Sequence, residues 1–413
     1  MSSIRIYHPT GKVKAHLKVP GSKSESNRLL ILQALSGNKW KIENLSSARD
    51  TQNLLQILAS GLKHVNVMDA GTSMRFLTAY YAATNQPIHL TGSSRMQERP
   101  IAPLVHALSE MGFDIRYAGQ EGFPPLEIVP VQNLKGIDDE VYIAGNISSQ
   151  FITALLLIAP FLSKGLTIHF TTSLVSRSYI EMTTQMLQYF GVNVDWKEDS
   201  IHIPNSKLEQ KDYAVGGDWS SAAYWYSVAF LAKEAEIFLE GMKDDWNQGD
   251  REVADWMKRF GITTEFDSAG ATLRKVEVSY PKMMKLNFRD NPDLAQTFAA
   301  MFAVKNIYAT FSGIDSLKIK ETDRIAALQT ELLKMNVHFD YSDFYDFYQI
   351  KGEFHLPAKP IATYNDHRMA MSFAPLALLG EIEIEHPNVV EKSYPGFWND
   401  LEKAGFVIQQ PGA

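Results

Sequence analysis

An α/β protein assembled from repeated units is the fold class predicted here, and three observations carry it. Six segments share one plan, a small or polar turn followed by an apolar run rich in Ala, Leu and Phe. A second helix in each unit closes on a residue suited to a left-handed cap: Gly61, Gly112, Gly191, Gly261, Asn336 and Gly405. Gly and Asn tolerate the positive φ that such a cap demands. A strand-like run follows each cap, as in Val65-Asn66-Val67, Phe113-Asp114-Ile115-Arg116, Val192-Asn193-Val194-Asp195 and Phe406-Val407-Ile408. Each unit therefore reads strand, helix, strand, helix, with a further strand pair in most copies.

The first helices, in chain order, are PGSKSESNRLLILQAL from Pro20, DAGTSMRFLTAYYAA from Asp69, GNISSQFITALLLIA from Gly145, GGDWSSAAYWYSVAF from Gly216, RDNPDLAQTFAAMFA from Arg289 and YNDHRMAMSFAPLAL from Tyr364. The markers Arg28, Arg75, Gln150, Ala223, Gln296 and Ala370 stand 47, 75, 73, 73 and 74 residues apart. One short interval among five marks a deletion within a repeat. From Gly112 to Ser148 is 36 residues, whereas Gly61 to Gly71 is 10, so the first copy lacks about a hairpin's length of chain. Six such units suit two domains of three.

Composition sets the outer limits. A chain of 413 residues with 45% apolar residues has ample core for two or three domains, at roughly 100–200 residues each. Lys and Arg number 40 against 47 Asp and Glu, and the net charge of -7 excludes a nucleic-acid binder that works by bulk positive charge. With no Cys there is no disulfide, no zinc–thiolate or iron–sulfur site and no thiol nucleophile. The N-terminal MSSIRIYHPTGKVKAHLKV lacks the apolar run of a signal peptide. The most apolar stretch, Phe151 to Leu162, is too short to span a bilayer and contains Pro160. The expectation is a cytoplasmic protein with no membrane and no nucleic-acid partner.

The starts of the first helices carry the chemistry. Ser22-Lys23-Ser24, Gly71-Thr72-Ser73, Ser148-Ser149-Gln150, Asp218-Trp219-Ser220-Ser221, Asn291-Pro292-Asp293 and Asn365-Asp366-His367 are N-cap residue types. Free N–H groups and dipoles at such ends favour anions if they face one cleft. Ten bases lie at or beside these ends: Lys23, Arg28, Arg75, Arg95, Arg99, Arg177, Lys320, Arg324, Arg368 and Lys392. In a net-acidic chain this pattern suits small, multiply anionic substrates, which guanidinium groups bind bidentately. Asp293 in NPDLAQT and Glu321 in KIKETDR lie among bases, as ion-pair partners or as groups for proton transfer. Gly-Ser-Lys-Ser at Gly21 has the wrong order for a nucleotide P-loop. The eleven His residues show no H-x-x-x-H or H-E-x-x-H spacing, so no metal site is expected.

At these residues the chain resembles the EPSP synthase family of enolpyruvyl transferases. The matching motifs are PGSKSESNR (20–28), DAGTSMR (69–75), RMQERPI (95–101), SSQF (148–151), LVSRSYI (174–180), GDWSSAAY (217–224), PDLAQT (292–297), KETDR (320–324), NDHRMAM (365–371) and EKSYP (391–395). The resemblance implies a two-domain inside-out α/β barrel built from six βαβαββ-type repeats, the first shortened. One domain would comprise residues 1–20 and 217–413, the other 21–216, with the active site in the inter-domain cleft. The implied reaction moves the enolpyruvyl group of phosphoenolpyruvate to the 5-hydroxyl of shikimate 3-phosphate and releases phosphate. It belongs to the shikimate pathway to chorismate and the aromatic amino acids, has glyphosate as an inhibitor and uses no cofactor. The family also implies a monomer.

The resemblance assigns shikimate 3-phosphate to Lys23, Ser24, Arg28, Ser148, Ser149, Gln150, Ser176, Tyr179, Asp293 and Lys320. It assigns phosphoenolpyruvate to Lys23, Gly71, Arg99, Gln150, Arg324, Arg368 and Lys392. Asp293 would accept the 5-hydroxyl proton, and Glu321, assisted by Lys23, would serve protonation of the enol carbon. Four positions depart from the family pattern: Asp69 replaces an Asn and adds negative charge, Arg177-Ser178 stands for Lys-Pro, and Ser316 falls where some members bind substrate through Asn. The alternatives are enolpyruvyl transfer to UDP-N-acetylglucosamine, whose usual loop Cys is absent here, and a non-catalytic repeat scaffold.

Overall fold

The computed structural model describes residues 3–244 and 247–410 of a mixed α/β chain. Two compact units divide it: Met1–Ser22, Ser47–Arg49 and Gly216–Ala413 in the first, Lys23–Ser46 and Asp50–Val215 in the second. The division falls two residues later than the expected 20/21 and one earlier than 216/217. Gly21 bridges Gly217, and the Ser22 amide donates to the Gly216 carbonyl at 2.8 Å, so both segments stay with the first unit.

In the second unit the helices Lys23–Ser36, Gly71–Ala83 and Ser149–Ile158 pack against one another. Each is apolar around much of its circumference, and such a helix is stable only when surrounded by other elements. Leu29, Ile31, Leu77, Leu155 and Leu157 are accordingly buried in one core. Two four-stranded sheets have the same order. His64–Asn66 runs parallel to Ile88–Thr91, which pairs antiparallel with Leu126–Val129, and that strand with Asp114–Tyr117. Glu140–Ile143, Leu166–Phe170, Ser200–Ile203 and Asp195–Trp196 repeat this pattern.

A third sheet of this unit has only two parallel strands, Ile42–Glu43 and Tyr213–Ala214. The helix Arg49–Ser60 passes through Gly61 directly into His64–Asn66, whereas Ala102–Glu110 is followed by a strand pair. Between Gly61 and Gly71 the chain forms only the strand His64–Asn66, with no strand pair ahead of it.

The first unit has the same plan. Its buried helices Trp219–Leu231, Ala295–Val304 and His367–Phe373 pack together in a second core that includes Trp225, Phe298 and Met371. Lys12–Lys18, Glu234–Glu240, Gly270–Lys275 and Ile262–Phe266 form one sheet; Met283–Asn287, Tyr308–Ser312, Phe347–Gly352 and Val337–Ser342 form another. In the last sheet Ser3–Tyr7 lies between Ile382–Glu385 and Val407–Gln409, and Ile361 bridges Ile384 in parallel. The N-terminal strand thus completes a sheet whose other strands come from the C-terminal end of the chain. All six helix caps named from the sequence have positive φ, from 59° at Asn336 to 106° at Gly112.

Candidate active site

The first unit gathers three carboxylates and three further cations, Arg368, Lys320 and Lys392, about Arg324. Arg324 opens the helix Arg324–Leu333 behind an N-cap, Asp323, whose side chain accepts from the Ile325 and Ala326 amides. Its guanidinium is 1% exposed and spends its donors on carboxylates: Nη1 to Asp293 at 2.9 Å, Nη2 to Glu321 at 3.0 Å and Nε to Asp366 at 2.7 Å. Burial alone would make Arg324 easier to deprotonate, but Asp366, Glu321 and Asp293 outweigh it and fix the positive charge. Glu321 also meets Lys392 Nζ at 3.3 Å, and Arg368 Nη2 reaches the other oxygen of Asp293 at 2.8 Å.

Asp293 is thus a carboxylate held between two guanidinium groups. Burial favours its protonated form, yet the charges of Arg368, Lys320 and Arg324 prevail and hold it well below the usual carboxylate range. Local backbone explains the placement. Asn291-Pro292 starts a 3-10 turn that leads Asp293 into the helix Ala295–Val304. Tyr364 and Asn365 are both left-handed, and the chain then enters the helix His367–Phe373 with Asp366 as N-cap, accepting from the Arg368 amide at 2.8 Å. The Tyr364 hydroxyl donates to buried Glu331 at 2.7 Å, which helps to hold a conformation that costs a non-glycine residue energy.

In the second unit, Arg28 is buried in the first helix and donates to Thr183 Oγ1 at 2.8 Å, to the Ser24 carbonyl at 2.8 Å and to the Tyr179 carbonyl at 3.1 Å. Burial pulls its guanidinium down to about 10, so it stays charged at neutral pH. Lys23, at the head of that helix, meets Asp50 at 3.3 Å. Gln150 Nε2 donates to Thr72 Oγ1 at 3.3 Å, beside Gly71. Arg99 is buried, its Nε has no hydrogen-bond partner among the described residues, and a Cβ at Gly71 would lie 2.6 Å from its Nη1 and Nη2. Ser148 caps the helix Ser149–Ile158, and Ser176, left-handed at φ 52°, precedes Arg177–Tyr189.

Arg95, Arg177 and Arg75 each have a partner within the second unit. Arg95 pairs with Glu98 and Arg177 with Glu181 on the surface, both at helical spacing. Arg75 is buried and donates to the Pro100 carbonyl at 2.6 Å, bracing the chain next to Arg99. The extra charge of Asp69 is bound locally, since its Oδ1 accepts from the Ser93 hydroxyl. Sequence reading missed Asp50 beside Lys23 in the second unit, and Asp366, Tyr224, Ser220 and Asp250 around Arg324 and Arg368 in the first. Asp366 and Ser220 look like ordinary helix-start residues, and Asp250 lies in a loop with no periodic signal. The one cue was that each falls within a few residues of a helix start.

Comparison with solved structures shows the fold of the enolpyruvyl transferases. EPSP synthase from Acinetobacter baumannii has a TM-score of 0.76 at 22% identity, covering 99% of this chain and 100% of its own. The enolpyruvyl transferase NikO from Streptomyces tendae has a TM-score of 0.74 at 14% identity, covering 100% and 99%. The family model described as EPSP synthase (3-phosphoshikimate 1-carboxyvinyltransferase) matches residues 7–67 and 60–401, its two segments overlapping at residues 60–67. The 3-phosphoshikimate 1-carboxyvinyltransferase of Bacteroides fragilis strain YCH46 is 43% identical over 401 residues, 96% of this chain and 97% of the relative. That of Haemophilus influenzae strain ATCC 51907 is 35% identical over 434 aligned positions, 96% and 97%. The chain belongs to the EPSP synthase family.

Proposed function

We propose that this protein transfers the enolpyruvyl group of phosphoenolpyruvate to the 5-hydroxyl of shikimate 3-phosphate, forming 5-enolpyruvylshikimate 3-phosphate and phosphate. The observation that carries the reading is Asp293, an ionised carboxylate between Arg324 and Arg368, with Glu321 alongside on Arg324 and Lys392. This supplies one carboxylate to accept a proton, a second carboxyl to deliver one, and cations for an anionic substrate.

Shikimate 3-phosphate is assigned to Ser24, Arg28, Ser148, Ser149, Gln150, Ser176, Tyr179 and Lys320, together with Lys23 and Asp293. Phosphoenolpyruvate is assigned to Lys23, Gly71, Arg99, Gln150, Arg324, Arg368 and Lys392. The reaction joins the two substrates, so the reading requires both residue sets to act on one pair of ligands. In the first step the 5-hydroxyl oxygen bonds to C2 of phosphoenolpyruvate, its proton passes to Asp293, and C3 takes a proton from Glu321 in its protonated form, with Lys23 assisting. The tetrahedral ketal then loses phosphate from C2 and a proton from C3, restoring the double bond.

Asp293 is a poor base while both guanidinium groups hold it. A substrate carboxylate that takes over Arg368 and Arg324 relieves that hold and raises its basicity when it is needed. The same reading makes the six sheets copies of one βαβαββ unit, three per inside-out barrel. The helices buried among one another in each unit support this.

The test is phosphate release from phosphoenolpyruvate with shikimate 3-phosphate as acceptor, run beside UDP-N-acetylglucosamine. Turnover with the first alone is expected, and turnover with the second alone would reject the reading. Asp293→Asn is expected to lower kcat by about 10²–10⁴-fold, the usual worth of a positioned acid or base.

A further inference from the structure

A second buried carboxyl stands behind Arg368, and no step above uses it. Asp250 lies in the short turn Gly249–Arg251 ahead of the helix Glu252–Lys258 and is 4% exposed. Its Oδ2 accepts from the hydroxyl of Ser220, in the first turn of the helix Trp219–Leu231. The same Ser220 oxygen lies 3.3 Å from Arg368 Nη2, the nitrogen that meets Asp293 at 2.8 Å. A serine hydroxyl has one proton to donate and two lone pairs to accept with, so it can serve both neighbours at once. The order is Asp293, Arg368, Ser220, Asp250, from the proposed base to the buried acid. The other arm of Arg368, Nη1, is 3.3 Å from the Tyr224 hydroxyl and 3.4 Å from the Asp293 carbonyl.

We propose that Asp250 is a positioning residue for enolpyruvyl transfer, which anchors Arg368 through Ser220 while Asp293 changes protonation. The inference rests on the reaction proposed above. Once Asp293 has accepted the 5-hydroxyl proton it is neutral, and its pull on Arg368 falls at the moment when Arg368 must keep hold of the substrate carboxylate. An anchor whose contact with Arg368 runs through Ser220 rather than Asp293 keeps the guanidinium in place through that step. Asp293, Arg368, Ser220 and Asp218 all act on Asp250. Burial, then Asp293, pushes its carboxyl up, with Arg368 and Ser220 acting the other way, so the proton occupancy of the anchor changes near neutral pH.

The experiment measures kcat and the KM of each substrate from acid to alkaline pH for the wild type, Asp250→Asn, Asp250→Ala, Ser220→Ala and the double alanine variant. Asp250→Ala and Ser220→Ala are each expected to raise the KM for phosphoenolpyruvate about tenfold while leaving that for shikimate 3-phosphate nearly unchanged, the mark of one loosened substrate contact. Residues acting in one chain are not additive, so the double variant is expected to match the worse single one. Asp250→Asn keeps the shape but cannot ionise, and is expected to remove the inflection of the phosphoenolpyruvate KM near neutral pH. An unchanged KM in both alanine variants, an equal rise for both substrates, or full additivity would overturn the proposal. If Asp250→Ala does not fold, Ser220→Ala and Asp250→Asn decide the matter. Absence of turnover in the wild type would sink the reaction itself, which is a separate outcome.

Discussion

Arg324 concentrates the physics of the first unit in one side chain. A buried cation without partners would be prohibitively costly, and a buried cation with three carboxylates holds those carboxylates in place as firmly as they hold it. Substituting Arg324→Met removes the cation that Asp293, Glu321 and Asp366 share, leaving Arg368 on Asp293 and Lys392 on Glu321. Loss of about 3–5 kcal/mol of stability is expected, readable by urea denaturation, as for any buried pair that loses one member. Gly71 makes a sharper case, because no unusual φ is involved and only space is at stake. Gly71→Ala would drive a methyl group into the Arg99 guanidinium. Titration calorimetry is expected to show phosphoenolpyruvate weakened about tenfold, close to 1.4 kcal/mol, with shikimate 3-phosphate affinity little changed. Equal weakening of both would place Gly71 away from the phosphoenolpyruvate site.

At the scale of elements, the repeated caps divide into two kinds. Gly61 has φ 61° with nothing within 4 Å of a would-be Cβ, whereas Gly261 has φ 78° with the Val276 carbonyl oxygen 2.3 Å from it. Gly61→Ala therefore carries only the left-handed penalty, about 1–2 kcal/mol. Gly261→Ala adds a clash with backbone that cannot move aside, so its denaturation midpoint is expected to fall further. Equal losses would show that the Val276 strand end yields. The caps were legible in sequence because left-handed geometry admits few residue types. The short interval between the first two helix starts was legible too, though the two-stranded sheet of Ile42–Glu43 and Tyr213–Ala214 was not.

For the whole molecule, two buried acids of opposite character shape the response to pH. Asp293 is held below the ordinary carboxylate value when folded, because Arg368, Lys320 and Arg324 outweigh its burial. It therefore contributes stability above about pH 4, and that contribution is lost as pH falls through the lower folded value. The melting-temperature gap between wild type and Asp293→Asn is expected to narrow on acidification below about pH 4. Asp250 behaves in the reverse sense. Its folded carboxyl is pushed up to about 7 by burial and by Asp293, so the folded state binds the extra proton and stability declines as pH rises from the ordinary carboxylate value toward 7. Asp250→Asn is expected to gain melting temperature relative to wild type between acid and alkaline buffer, and a constant difference would refute the assignment.

The sequence by itself determined the α/β class, the positions of the helix starts and caps, and the family. These follow from periodicity, from residues with special backbone freedom and from long motifs, all of them local. It also named Asp293, Glu321, Arg324, Arg368 and Lys392, since motif residues stay recognisable one by one. Only the tertiary structure decided which charges meet. Glu321 and Arg324 are three residues apart, but Asp293 and Asp366 reach Arg324 from 31 and 42 positions away. The same holds for Asp250, whose neighbour Ser220 is 30 residues distant. Surface pairs such as Arg177 with Glu181 and buried anchors such as Arg368 carry the same residue types in sequence. Desolvation and distance tell them apart, and both arise only when the helices are packed.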